Sequence, residues 1–189
     1  MAVYRLNRLF NPQSRRALDV AVDHGFFGER SFLTGIEDMA AVVRTLVAAN
    51  PDAVQLTLGH ARLLQVVPGK HKPALVLRSD VANVYGNPLD EHLFSHHVPN
   101  AIEEAVRLDA VAICANLMQL PGRPEIREAN IRSIMTLRAE ATTYGMPLMR
   151  ATISPSSWYP MFEYFCWTFG GIRVPISATR ARFRSATPS

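Results

Sequence analysis

Short apolar runs rich in β-branched residues recur along this chain, separated by stretches with helical spacing, and no other feature limits the possible folds so strongly. The alternation is the sequence form of successive βα units around a parallel sheet. Strands are expected at residues 18–23 (LDVAVD), 53–58 (AVQLTL), 74–78 (ALVLR) and 110–116 (AVAICAN), with a fifth beginning at Met146 (MPLM). The runs are almost continuously apolar, as expected when both faces of a sheet are covered.

The intervening segments carry helix punctuation. Thr34 followed by Glu37 fits a capping box, Met39, Val42, Val43 and Leu46 share one face, and Asn50-Pro51 ends that helix. A second helix is expected over residues 99–108. A third opens at Pro124, buries a stripe of Ile126, Ile131, Ile134 and Leu137, and closes at Tyr144-Gly145. Residues 60–66 make at most a short helix. Asp-Ala-Val recurs at residues 52–54 and 109–111, each time where a helix runs into a strand. The strand spacing suits an eight-unit barrel, which needs about 250 residues. The expected fold is therefore α/β, a partial (β/α)8 TIM barrel of about four and a half units over residues 1–149, followed by an unrelated tail over 150–189.

Charge marks the same boundary. The chain has a net charge of +4 and is 48% hydrophobic, a balance that excludes disorder for most of its length. Lys and Arg equal Asp and Glu, at 15 each, over residues 1–149. All the excess lies beyond, where Arg150, Arg173, Arg180, Arg182 and Arg184 face the single acid Glu163. Half of the aromatic residues, including Trp158 and Tyr159, also fall in this tail, and neither helical nor strand periodicity persists through it. The tail is read as an out-of-frame or disordered stretch. Shifting the reading frame near codon 149 should restore a strand, a lysine and phosphate-loop glycines. Cys114 and Cys166 cannot build a disulfide framework, no charged stretch followed by an apolar core and a small-residue cleavage site opens the sequence, and no apolar run approaches the roughly 20 residues that cross a bilayer. A reducing cytoplasm and no membrane partner are expected.

In parallel α/β folds, chemistry gathers at the carboxyl ends of the strands. The first ends in Asp23-His24-Gly25, a carboxylate able to move a proton, an imidazole and a flexible backbone. Asp23 fits a turn-capping role equally well. The other ends supply Thr57, Gly59 and His60, then Arg78, Ser79 and Asp80, then Asn116; Arg78 and Asp80 could simply pair with each other.

The segments LDVAVDHGFFGE, GIEDM, PDAVQLTLGHA, GKHKPALVLRSD, LDAVAICANL and YGMPLM, in that order, resemble the class I fructose-bisphosphate aldolases of the bacterial and archaeal type. These group with the deoxyribose-phosphate and tagatose-bisphosphate aldolases. The resemblance covers residues 5–149, and its most specific element is Asp23-His24-Gly25. It implies a (β/α)8 barrel that cleaves or forms carbon-carbon bonds in a sugar phosphate through a Schiff base on a strand-six lysine, without metal or other cofactor. It also implies that Asp23 assists carbinolamine chemistry and that His24 lines the substrate site.

The chain departs from that pattern in its lysines. A Schiff base needs an amine whose pKa is lowered by burial or neighbouring cations. Only Lys70 and Lys72 exist, and both precede the third strand, at the rim opposite the expected site. Neither is taken as the nucleophile, so the chain is expected to be inactive as it stands. Trp158 and Tyr159 lie near the family's aromatic acid/base, but without matching context neither takes its role. The alternative is a non-catalytic barrel remnant that self-associates through open strand edges.

Competing signals are weaker. Glu91, His92, His96 and His97 put His92 and His96 four apart, a metal-chelating spacing on a helix, but a solvated turn between Pro88 and Pro99 explains them as well, and no metal is expected. Lys70-His71-Lys72 fits an exposed loop, and Cys114 fits a core position. Arg180, Arg182 and Arg184 around Phe183 could contact nucleic acid, but no recognised fold surrounds them, and no nucleic-acid partner is expected.

Overall fold

In a computed structural model, residues 2–85 and 90–153 are described, together with two short strands at Trp167–Phe169 and Ile172–Val174. Helix α1 (Ala2–Leu9) precedes strand β1 (Asp19–Ala21), which runs into a 3-10 turn at His24–Phe27 and a second at Arg30–Leu33. Helix α2 (Met39–Ala49), strand β2 (Ala53–Thr57), helix α3 (Leu58–Gln65) and strand β3 (Ala74–Arg78) follow. A small antiparallel pair, β4 (Asp80–Ala82) and β5 (Ser95–His97), then leads to helix α4 (Ala101–Arg107) and strand β6 (Ala112–Met118). Helix α5 (Pro124–Thr143) and strand β7 (Leu148–Ile153) complete the body, with β8 (Trp167–Phe169) and β9 (Ile172–Val174) beyond.

The main sheet has the order β1-β2-β3-β6-β7-β8-β9, and its first five strands are parallel. This is the α/β partial barrel expected from the alternation. Strand β7 runs to Ile153, so Arg150, grouped above with the tail, lies within it. Strands β8 and β9 were not expected. Trp-Thr-Phe and Ile-Arg-Val flank Gly170-Gly171, and aromatic and β-branched triplets around two glycines are a short-range hairpin signal. Strand β8 adds antiparallel to β7 and β9 antiparallel to β8, unlike the strands of a barrel. Pro88, Trp158, Tyr159, Glu163, Cys166, Arg180, Arg182, Phe183 and Arg184 lie outside the described residues.

Strand alternation sorts side chains by face. Val54, Leu56, Leu75, Leu77, Ile113 and Ala115 turn outward and form the main core with Met39 and Val43 of α2, Leu64 of α3, Ile102 of α4 and Leu137 of α5. Burying each large aliphatic residue here is worth roughly 1.5–3 kcal/mol. The inward face carries Ala53, Val76, Ala112, Cys114, Met149 and Ala151, which pack with Leu9 of α1. Cys114 is buried in this core, as expected. Helix α1 is anchored near the amino end of β6, where Arg8 donates two hydrogen bonds to Asp109 (2.7 and 2.8 Å) and Arg5 donates one to the Ala110 carbonyl (2.6 Å).

Three local expectations are corrected. The cap of α2 is Asp38, whose carboxylate accepts from the Ala41 amide at 2.9 Å, whereas Glu37 accepts from the Gly35 amide and Thr34 donates to Ser31. Aspartate three residues before a free amide satisfies it as well as threonine does. Helix α3 starts directly from β2, at Leu58 rather than residue 60. The buried positions of α5 are Ile126, Asn130, Leu137 and Ala141, with Asn130 in place of Ile131, because Asn130 bonds to the backbone of β6 and to Ser95.

Candidate active site

Parallel register places the inward side chains at the carboxyl ends of the strands beside one another. Ala21 aligns with Gln55, Gln55 with Val76, Thr57 with Arg78, and Arg78 with Cys114. Asp23 follows β1 by two residues and shares this face. Its carboxylate is almost fully buried, and Oδ2 accepts from Arg78 Nε at 2.5 Å and from Gln55 Nε2 at 2.8 Å. Both donors fall on Oδ2, leaving Oδ1 with no donor among the described residues. The turn cap proposed as an alternative role is not made, since the 3-10 helix after Asp23 has no side-chain cap bond.

Arg78 is the centre of the cluster. Its Nη1 reaches Asp80 at 3.4 Å, and its guanidinium lies 4.4 Å from the centre of the Phe26 ring. The expected Arg78–Asp80 pairing thus exists, but it is the weaker of two. Burial works against the arginine's charge, yet Asp23, Cys114 and Asp80 hold its pKa above the ordinary value. Burial raises the pKa of Asp80, against the pull of Arg78 and His97. The Cys114 thiol is pushed well above its ordinary range by burial, so it is no nucleophile.

Asp19 was not anticipated as part of the site. The residue as a whole is half-buried, but both carboxylate oxygens are shut off from solvent and have no hydrogen-bond partner among the described residues. Burial, followed by the charge of Asp23, pushes its pKa up to about 7. Gln55 and Phe26 were missed as well.

His24 begins the 3-10 turn and is half-buried; its Nδ1 is sequestered, with no hydrogen-bond partner among the described residues. Phe26 and Phe27 of the same turn join Phe32 and Tyr85 in an aromatic cluster next to Arg78. His60 pairs with Thr57 at 3.1 Å in an exposed position. Ser79, His97 and Asp80 meet, but the Ser79 hydroxyl donates to the Cys114 carbonyl at 2.8 Å. Its proton is committed to the backbone, and burial lowers the pKa of His97, so the trio fastens the β4–β5 pair and activates no nucleophile.

The chelation premise for His92 and His96 is overturned. His96 lies in β5 and His92 in an irregular segment before it, so no helix face presents both, and no metal-ligating cluster exists among the described residues. Lys70 is exposed, and Lys72 donates to the carbonyls of Leu64, Gln65 and Val67 at 3.1–3.2 Å. Both precede β3, at the amino-terminal rim. No described helix is long and apolar enough to cross a membrane.

Residues 17–155 match the model of the family described as DeoC/LacD family aldolase. The chain belongs to the DeoC/LacD aldolase family. The match begins at the approach to β1 and ends just past β7, so it spans all five parallel strands of the DeoC/LacD fold. The chain is 34% identical over 148 residues to 3-hydroxy-5-phosphonooxypentane-2,4-dione thiolase of Photorhabdus laumondii, covering 78% of this chain and 47% of that protein. The protein of the same name from Yersinia pestis shows the same identity and coverage. That from Klebsiella pneumoniae is 32% identical, with 46% of its length covered. The chain thus spans about half the length of the curated relatives it matches. These relatives carry the resemblance to the level of the DeoC/LacD family, not to fructose-bisphosphate aldolase in particular.

Proposed function

We propose that this chain carries the amino-terminal half of an aldolase site, binding a phosphorylated ketone or ketose on the inward face of the sheet beside Asp23 and His24. Fructose 1,6-bisphosphate and the phosphonooxypentanedione in the relatives' name both belong to that substrate class. The observation that supports this reading most is the Asp23 carboxylate at the carboxyl end of β1. Arg78 and Gln55 hold it through Oδ2, which leaves Oδ1 to take a proton from a substrate hydroxyl and return it. His24 lines the substrate beside it. A cytoplasmic setting is part of the proposal.

The same reading assigns no imine to the chain's own lysines, because both lie at the opposite rim and Lys72 is occupied with backbone carbonyls. Dihydroxyacetone phosphate should bind the wild-type chain reversibly, and Asp23→Asn should weaken that binding at least tenfold in an NMR titration. Borohydride added to the complex should leave the mass of the chain unchanged. Equal affinity in the variant would remove Asp23 from the site, and a reduced adduct on Lys70 or Lys72 would refute the placement of the lysines.

One observation favours a second role, self-association. Among the described residues, strand β1 is the end of the sheet, with β2 its only neighbour, and Leu18 beside it is 62% exposed. An unpaired edge next to exposed apolar surface invites pairing with another copy. Light scattering should then give a dimer or larger species, and a monodisperse monomer would dismiss the idea.

A further inference from the structure

We infer that the Asn116 side chain, together with the free oxygen of Gln55, reads the carbonyl and hydroxyl oxygens of the bound ligand, and so determines which oxygenated carbon chain is accepted. The inference rests on the proposed aldolase-type site and assigns its specificity. A hydrogen-bonded series crosses the carboxyl ends of the strands. Gln55 donates to Asp23, Arg78 bridges Asp23 and Asp80, and Asp80 Oδ2 accepts from the Asn116 backbone amide at 3.3 Å. Among the described residues, Gln55 Oε1 at one end of the series has no partner, and at the other neither Asn116 Oδ1 nor Nδ2 has one.

These atoms are buried, with Gln55 0% and Asn116 1% exposed. A buried polar group left unpaired destabilises the fold. Elsewhere the same chain meets that demand. Asn130, equally buried, accepts from the Met118 amide at 2.9 Å and donates to Ser95 Oγ at 3.0 Å, which locks α5 to β6 and β5. Asn130 is what a structural carboxamide looks like in this protein, and Asn116 lacks every one of those bonds. By strand alternation Asn116 shares the inward face with Cys114, as Gln55 does with Ala53.

The surrounding charge selects the end of the ligand that is read. Asp23 and Asp80 lie within the series, and the guanidinium that pairs with them among the described residues, Arg78, is committed to both. A phosphate dianion there would face carboxylates without a free positive partner, whereas a ketone or hydroxyl oxygen suits a carboxamide that can both donate and accept. Asn116 therefore reads the uncharged end, and the phosphate lies away from it.

The test combines stability with affinity in Asn116→Leu, a substitution of similar shape without polar atoms. Its urea midpoint should equal or exceed that of wild type, while dihydroxyacetone phosphate should bind about tenfold more weakly. Asn116→Asp, which keeps an acceptor and loses the donor, should also bind more weakly. Asn130→Leu should lower the midpoint sharply. Inorganic phosphate should not displace the ketone from the Asn116 environment. If Asn116→Leu is destabilised as Asn130→Leu is, or binds the ketone as wild type does while Asp23→Asn does not, the inference falls and the proposed site stands. If wild type binds no ketone, the proposed site falls and the inference with it.

Discussion

Replacing Arg78 by methionine is expected to cost about 3–5 kcal/mol of stability, the range for removing one partner of a buried ion pair. The reason is the company the guanidinium keeps. Asp23 and Asp80 are each 2% exposed, Arg78 is 3% exposed, and no other described cation reaches either carboxylate. Methionine fills similar volume but leaves two carboxylates buried without a counter-charge. Against a total of about 5–15 kcal/mol for an ordinary domain, such a loss takes the chain close to unfolding at room temperature. Arg78→Lys should lie between, since one ammonium cannot match the Nε and Nη1 contacts together. The double variant Asp23→Asn, Arg78→Met should recover part of the loss, because the carboxylate that Arg78→Met strands is neutralised by Asp23→Asn. Urea midpoints at neutral pH of wild type, of Arg78→Met, Arg78→Lys and Asp23→Asn, and of the double variant measure this. Strictly additive effects of the two substitutions would show that Asp23 and Arg78 do not depend on one another.

Asp19→Asn should act in the opposite direction and change the pH dependence. The folded carboxyl titrates near 7, whereas an unfolded aspartate titrates near 3.8. Between those values the folded state keeps a proton that the unfolded state has released, so stability falls as pH rises. The full contribution is present below the unfolded value and is gone once pH passes the folded one. A shift of this size corresponds to on the order of 4 kcal/mol across the interval. Asparagine has no proton to lose, so the variant should match wild type near pH 4, lose the downward slope, and be the more stable protein at pH 8. An unchanged slope would mean that Asp19 reaches solvent in the folded protein.

Much of the architecture was legible because periodicity and chain order carry it. The LDVAVD and AVQLTL runs, the helix stop at Asn50-Pro51 and the opening of α5 at Pro124 are all local signals, and the parallel sheet follows from their alternation. Errors arose where two residues could fill the same local role. Thr34 and Asp38 both suit a helix start, and only the course of the chain through the Arg30–Leu33 turn puts Asp38 next to a free amide. Asn130 breaks an otherwise apolar stripe because its partners lie 12 and 35 residues away. The hairpin of β8 and β9 was overlooked although Gly170-Gly171 signalled it.

The site was half legible. Asp23 stood out as an acid closing an apolar strand. Arg78 and Asp80 were visible as a pair, but the stronger Arg78–Asp23 contact spans 55 residues and depends on strand register. Gln55 and Asp19 left a signal that was not used. Each is a polar residue at an inward position of a strand otherwise built from small or apolar side chains, and in a parallel barrel that position faces the interior. Alternation within the strands groups Asp19, Asp23, Gln55, Arg78 and Asn116 from the sequence alone.

The central claim is that Asp23, at the carboxyl ends of the parallel strands, marks where the ligand binds. A crystal of the 189-residue chain soaked with dihydroxyacetone phosphate tests it most directly. Ligand density within hydrogen-bond distance of Asp23 Oδ1, with a ketone or hydroxyl oxygen toward Asn116 and the phosphate directed away, is the predicted result. Ligand bound at Lys70 and Lys72 on the opposite rim, with the surroundings of Asp23 unchanged, would contradict it.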